Sequence, residues 1–256
     1  MMDLHTHLDL YPDALSLVRK VNVTNSFTLC MTTSPRAWVA TARVFSPYSH
    51  ITVALGLHPE IVGRKIDELD FMIQSMSRTR FIGEIGLDGS PQYRAEQGLQ
   101  RKVLESVLCE ASRLGNKILS LHSRRAVAEL LVMLDRYKVG NGAILHWFSG
   151  TQNDLKRAIA IGCYFSVNEL MARSEHGMSL IAQMPHDRVL PESDGPFAML
   201  SGKPLSPMSS SNVAQAVSHI WKMPHEDVEI GFNEALKKLL VKRGCKDGVF
   251  KTAECI

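Results

Sequence analysis

The chemistry-bearing residues of this chain are histidines and carboxylates that stop short apolar runs. His5-Thr6-His7 opens the series. Residues two apart on a strand share a face and lie roughly 7 Å apart along it, so a bend just beyond the strand brings both imidazoles onto one cation. Glu84 follows the run Phe81-Ile82-Gly83, His122 follows Leu119-Ser120-Leu121, His146 follows Ile144-Leu145, and Asp194 comes shortly after Val189-Leu190. Each signal has a plain reading when taken alone. A buried Glu can bond to backbone amides, a His after a strand is commonly a satisfied rim residue, and Asp before Gly and Pro commonly starts a turn. Burying Glu84 without a partner would be costly, and four histidines and two acids in equivalent positions argue for a divalent-metal centre. Mixed imidazole and carboxylate donors suit Zn, Mn, or Mg with added waters. Six donors are enough for two ions bridged by one carboxylate, and Asp3 is placed to orient an imidazole from behind.

The elements that must position these groups follow from periodicity. Eight short apolar runs read as strands: 3–5, 26–32, 51–56, 81–84, 118–122, 143–146, 164–167 and 188–190. Between them lie helical stripes, such as Val103, Leu104, Val107, Leu108 and Ala111, or Ala126, Val127, Leu130, Leu131 and Leu134. Strict alternation implies parallel strands with right-handed crossovers. Eight units in 256 residues predict a (β/α)8 TIM barrel, with a doubly wound open sheet as the alternative. In a barrel, functional groups gather at the C-terminal strand ends, which is where the donors fall. A Ser/Pro-rich stretch, 201–211, reads as a loop before a closing helical region from Val213 to about Arg243. No domain boundary is visible, so residues 1–256 read as a single domain.

Composition excludes several classes. Hydrophobic residues make up 45% and charged residues 21%, and 29 Lys and Arg stand against 26 Asp and Glu for a net charge of +3. This is ordinary globular composition and too mild to announce a polyanionic partner by bulk charge. Five cysteines without CxxC spacing, Cys30, Cys109, Cys163, Cys245 and Cys255, suggest neither a disulfide framework nor a thiolate zinc site. No signal peptide is visible, and no apolar run approaches the roughly 18 residues of a membrane span. The expectation is a cytoplasmic protein with no membrane contact.

Six segments together resemble the successive signatures of the TatD family of metal-dependent deoxyribonucleases, in the family's order and over nearly the whole chain. They are Asp3-Leu4-His5-Thr6-His7-Leu8-Asp9, Gly56-Leu57-His58-Pro59, Gly83-Glu84-Ile85-Gly86-Leu87-Asp88, His122-Ser123-Arg124, His146-Trp147-Phe148-Ser149-Gly150 and Glu192-Ser193-Asp194-Gly195-Pro196. The compact chain also resembles TatD-like proteins encoded in some bacterial anti-phage defence loci. The resemblance implies a metal-dependent hydrolase barrel with nuclease activity, exonucleolytic on single-stranded DNA, a two-metal centre, and for the defence relatives a protein partner in a defence complex. One ion would be held by His5, His7, Glu84 and Asp194, the other by Glu84, His122 and His146. Departures from the family fall near the substrate groove: Glu60 where a second His is common, a short Gly89-Ser90-Pro91 after Asp88, and Gly195 where another small residue is commoner.

Catalysis then rests on Glu84 and Asp194, with Asp194 taking a proton from the attacking water. His58 and Arg124 are candidates for phosphate contacts, and Trp147 and Phe148 for base stacking. The plainer readings are a loop-shaping His58, an Arg124 paired with a surface acid, and aromatics that pack in the wall. His50, His176, His186, His219 and His225 have no supporting partners. Lys237, Lys238, Lys242 and Arg243 read as the solvated face of a terminal helix, or less simply as a DNA-binding tail. A rival function on the same scaffold is hydrolysis of a small-molecule or aminoacyl ester or amide. Many related amidohydrolases use a modified Lys at the fourth strand, where Glu84 stands, which favours phosphoester chemistry. A non-catalytic binding subunit would be expected to have lost donors, and none is lost.

Overall fold

The computed structural model describes residues 1–244. Cys245 and Cys255 lie outside them, so the expectation for these two thiols falls beyond the described residues. Eight parallel strands carry the architecture: β1 (Met2–Thr6), β2 (Phe27–Cys30), β3 (Ile51–Val53), β4 (Phe81–Gly86), β5 (Ile118–His122), β6 (Ala143–His146), β7 (Tyr164–Val167) and β8 (Val189–Pro191). They alternate with α1 (Ala14–Thr24), α2 (Pro35–Phe45), α3 (Val62–Lys65), α4 (Leu69–Ser75), α5 (Gln97–Leu114), α6 (Val127–Tyr137), α7 (Gln152–Ala160), α8 (Glu169–Arg173) and α9 (Glu175–Ile181). This is the (β/α)8 barrel that the periodicity predicts. Strands buried on both faces read as near-continuous apolar runs, and β2, β4, β6, β7 and β8 are buried along their whole length.

Regular pairing runs β1-β2-β3 and β4 through β8. Two junctions close the ring. Leu55 N donates to Phe81 O at 3.0 Å and Gly83 N to Leu55 O at 2.9 Å, joining the end of β3 to β4. Asp194 N donates to His5 O and His7 N to Gly195 O, both at 2.8 Å, joining the exit of β8 to β1. The second junction carries expected donor residues on both sides, so the contacts that close the barrel also bring His5 and His7 beside Asp194.

Helix stripes match the expected faces. Val103, Leu104, Val107, Leu108 and Ala111 of α5 are buried, as are Val127, Leu130, Leu131 and Leu134 of α6. A capping box, Thr151 with Asp154, starts α7. The closing region is helical as expected and comprises two helices, α10 (Ser210–Trp221) and α11 (His225–Lys242), because Lys222 turns left-handed at φ 54° and Pro224 cannot continue a helix. The stretch 201–211 is not loop throughout: its start belongs to a short antiparallel hairpin, β9 (Met199–Leu200) with β10 (Lys203–Pro204). Arg243 is a further correction. It is buried rather than solvated, with Nη1 donating to Gly115 O at 2.9 Å and Nη2 to Asn141 Oδ1, and it ties the end of α11 to the barrel base. Lys237, Lys238 and Lys242 are exposed as expected.

Candidate metal centre

Glu84 is the hub. It sits near the end of β4, 2% exposed, between two sets of imidazoles. Its Oε2 lies 3.3 Å from Nε2 of both His5 and His7 and 3.2 Å from His58 Nε2. Its Oε1 lies 2.7 Å from His122 Nδ1 and 3.8 Å from His146 Nε2. Asp194 completes the first side, with Oδ1 3.8 Å from Nε2 of His5 and of His7. The rings of His5 and His146 stack at 3.7 Å, 12° from parallel. All six expected donors therefore converge on the C-terminal mouth of the barrel. His58, expected at the rim as a phosphate contact, is brought inside this cluster.

The far side of three of the imidazoles, His5, His122 and His146, is held by a group that sequence reasoning did not single out. His5 Nδ1 meets Ser120 Oγ at 2.8 Å, His122 Nε2 meets Asp88 Oδ2 at 2.9 Å, and His146 Nδ1 meets Glu192 Oε2 at 2.9 Å. Glu192 is in turn bonded by Asn168 Nδ2 at 3.0 Å and by Ser166 Oγ. A His whose outer nitrogen is tied in this way presents its other nitrogen in a fixed direction, the usual build of a metal-ligating imidazole. Asp3 corrects the expectation that it orients an imidazole. Its Oδ1 accepts the backbone N–H groups of His5 and Ser193, both at 3.1 Å, and its Oδ2 accepts Ser193 Oγ–H. It locks β1 to the exit of β8 instead.

The electrostatics suit a cation. Burial pushes His5 down to about 3, so its ring is neutral, and with Nδ1 engaged by Ser120 its Nε2 is a buried polar atom lacking a hydrogen bond. His7 Nδ1 is also buried without one. Such orphaned atoms are costly unless something electrophilic meets them. Burial alone would raise Glu84, but the imidazoles of His58, His5 and His122 outweigh it and hold the carboxyl well below its usual range. Burial likewise opposes charge on His122 and His146. Asp88 and Glu84 overcome it for the first and raise it to about 9, while Glu192 and Asp194 raise the second to about 10. Asp194 is pushed up to about 7, chiefly by burial. Cation binding at these histidines would release their protons. Among the described residues, four donor groups are close enough to hold ions: His5, His7 and Glu84; His5, His146 and Glu192; His58, Glu84 and His122; Glu60, Asp88 and His122. The residues fit a divalent-metal centre.

Residues 2–241 match the family described as TatD related DNase. The chain belongs to that family. Its relatives include a protein of Escherichia coli K12 described as an uncharacterized metal-dependent hydrolase, YjjV, 26% identical over 244 residues that cover 89% of this chain and 92% of that one. A 3'-5' ssDNA/RNA exonuclease TatD from Edwardsiella piscicida is 27% identical over 64% of this chain and 65% of its own length. A deoxyribonuclease Tat-D of Schizosaccharomyces pombe is 27% identical over 54% and 45%. The crystal structure of E. coli YjjV superposes with a TM-score of 0.83 at 23% identity, over 93% of this chain and 97% of that one. The fold is thus that of the TatD-like metal-dependent hydrolases.

Around the centre of this TatD-family chain the other expected residues are spread. Arg124 is exposed just beyond β5, its side chain in no ion pair among the described residues, while its carbonyl accepts Gly89 N–H at 2.8 Å. Trp147 is half-buried beside His146. Phe148 is corrected to core: it is 1% exposed and packs edge-on against Phe165 at 5.5 Å, too deep to meet a base. His50, His176, His186 and His219 are exposed and His225 half-buried, all away from the centre. Gly195 has a local reason, since a Cβ there would sit 1.9 Å from Tyr11 Oη and 2.5 Å from Leu205 O.

Proposed function

We propose that this chain is a divalent-metal-dependent deoxyribonuclease that hydrolyses phosphodiester bonds, acting exonucleolytically on single-stranded DNA. The observation that carries the reading is the two-sided carboxylate. Glu84 turns Oε2 toward His5, His7 and His58, and Oε1 toward His122 and His146, an arrangement suited to bridging two cations. His5, His7, Glu84 and Asp194 would hold one ion, and Glu84, His122 and His146 the other, as Mg, Mn or Zn. When bound, the ions would supply charge to the phosphate oxygens and make water acidic enough to attack at neutral pH.

Asp194 would then accept the water's proton as the water oxygen attacks phosphorus, the P–O bond to the sugar oxygen would break, and that oxygen would leave as a hydroxyl after taking a proton from solvent. A carboxylate within hydrogen-bond reach of the attacking water suits this role. Asp88 and Glu192 keep His122 and His146 in register throughout. His58, inside the cluster, and Arg124, free at the rim, would bind phosphate oxygens, and Trp147 would line the strand beside His146. Relatives named as ssDNA/RNA exonuclease and deoxyribonuclease support the substrate class. The cytoplasmic setting, a role in anti-phage defence and a protein partner there rest on the sequence resemblance alone.

The test is cleavage after metal exchange. Protein stripped of metal and reloaded with Mg, Mn or Zn is expected to shorten end-labelled single-stranded DNA. Glu84→Ala and Asp194→Asn are expected to lose at least about 10³-fold in rate with an unchanged circular dichroism spectrum. No cleavage with any metal on any strand form, alongside turnover of aminoacyl or small ester and amide substrates, would replace this reading with the rival hydrolase.

A further inference from the structure

Phe197 stands exposed where an apolar ring has little reason to be. Among the described residues the exposed phenylalanines are Phe71 at 37% and Phe197 at 60%. Phe71 lies on α4, and Phe197 lies three residues past Asp194, beside the metal centre. The edge of one ring meets the face of the other between Phe197 and His7, with centroids 5.0 Å apart and planes at 84°. One side of the phenyl ring is thus set against a proposed ligand while much of its surface remains open.

The backbone that carries the ring is pinned. Phe197 N and Ala198 N both donate to Asp194 O at 2.9 Å, Ala198 is buried, and Leu205 N donates to Ala198 O at 2.8 Å. Tyr11 Oη donates to Leu205 O at 2.9 Å, pinning the start of the chain to the same turn. Beyond it, the hairpin of β9 and β10 braces the segment from 199 to 204. On a fixed backbone a phenyl ring has only two side-chain torsions to lose when a flat partner lands on it, which makes an aromatic side chain an efficient platform for nucleobases.

We propose that Phe197 is the stacking platform for the base of the nucleotide whose phosphate occupies the metal centre. The proposal rests on the nuclease reading above and names what that reading leaves open, the group that grips the base. Trp147 follows β6, two strands from β8 in the ring, and is packed against the core, which leaves Phe197 as the more exposed of the two rings. Stacking on a phenyl ring is tolerant of base identity, so Phe197 fixes the position of the strand without selecting its sequence.

The test uses the full chain and a single-stranded oligodeoxynucleotide carrying 2-aminopurine at its 3' end, whose fluorescence falls when the base stacks. With metal chelated to prevent cleavage, wild-type protein at saturation is expected to quench the probe several-fold. Phe197→Trp is expected to keep the quenching, and Phe197→Ala and Phe197→Leu to lose it. In the metal-loaded enzyme Phe197→Ala is expected to raise KM about tenfold with kcat within about threefold. Quenching by Phe197→Ala or Phe197→Leu equal to wild type, or loss in Phe197→Trp together with the other two, would overturn the platform. An enzyme that cleaves DNA with Phe197→Ala kinetics equal to wild type rejects the platform and leaves the nuclease reading standing. A wild type that neither binds nor cleaves the oligonucleotide rejects both.

Discussion

Three of the four histidines proposed as ligands, His5, His122 and His146, are each half of a pair, and these pairs bear on how well the proposed centre is built. His146 with Glu192 and His122 with Asp88 are the stronger ones, because a carboxylate behind the ring both fixes its rotation and raises its basicity. Glu192→Gln and Asp88→Asn are therefore expected to weaken metal binding by about 10- to 100-fold while leaving all six proposed ligands in place. Competition with a fluorescent chelator would read this directly, and unchanged affinity in both variants would show that the pairs serve packing alone. These partners were not legible in the sequence. Asp88 and His122 are 34 positions apart, Glu192 and His146 are 46 apart, and Ser120 and His5 are 115 apart. Such contacts form across strands, and no spacing within one strand encodes them. Glu192 did leave a trace, as an acid in the same strand exit as Asp194. Phe197 left none, since a Phe after Gly-Pro reads as ordinary loop sequence.

The strands were legible because parallel barrel strands are apolar on both faces and end abruptly at their polar exits. The same contrast exposed the donors. The closing helices were legible as helix but not as two, and the small β9–β10 hairpin was hidden in a stretch whose Ser and Pro content signals only a loop. At this scale the junction between β8 and β1 matters most, since it carries His5, His7 and Asp194 and is held by Asp3 and Ser193. Gly195 lies in that junction beneath Tyr11. Gly195→Ala would drive a methyl into Tyr11 Oη and is expected to cost about 1 to 3 kcal/mol, lowering Tm by roughly 3 to 10 °C. Tyr11→Phe removes the nearest clashing atom, so the double variant is expected to recover part of the loss, a non-additive outcome that differential scanning calorimetry resolves. Additive losses would mean that the Leu205 carbonyl sets the limit instead.

For the whole molecule, the donors gathered from His5 to Asp194 require one closed barrel over that span, and the ring of strands meets this requirement. The mild net charge of +3 is no obstacle to a polyanionic substrate, because bound cations would place positive charge at the mouth itself. Without cations, protons must neutralise the carboxylates. His122 at about 9 and His146 at about 10 sit above the unfolded value of about 6.5. The folded chain thus binds more protons than the unfolded one between these limits, and the stabilisation they give is complete below about 6.5 and lost as pH rises through 9 to 10. Metal-free protein is expected to lose Tm steadily from pH 7 to 10, and metal-loaded protein to lose much less. The central claim, that Glu84 organises two cation sites, is tested most directly by calorimetric titration of metal-free protein with Mn at pH 7.5, in buffers of differing ionisation enthalpy. Two ions per chain bound with release of protons, and loss of both sites in Glu84→Ala, is the predicted result. A single site, or two sites that survive Glu84→Ala, would contradict it.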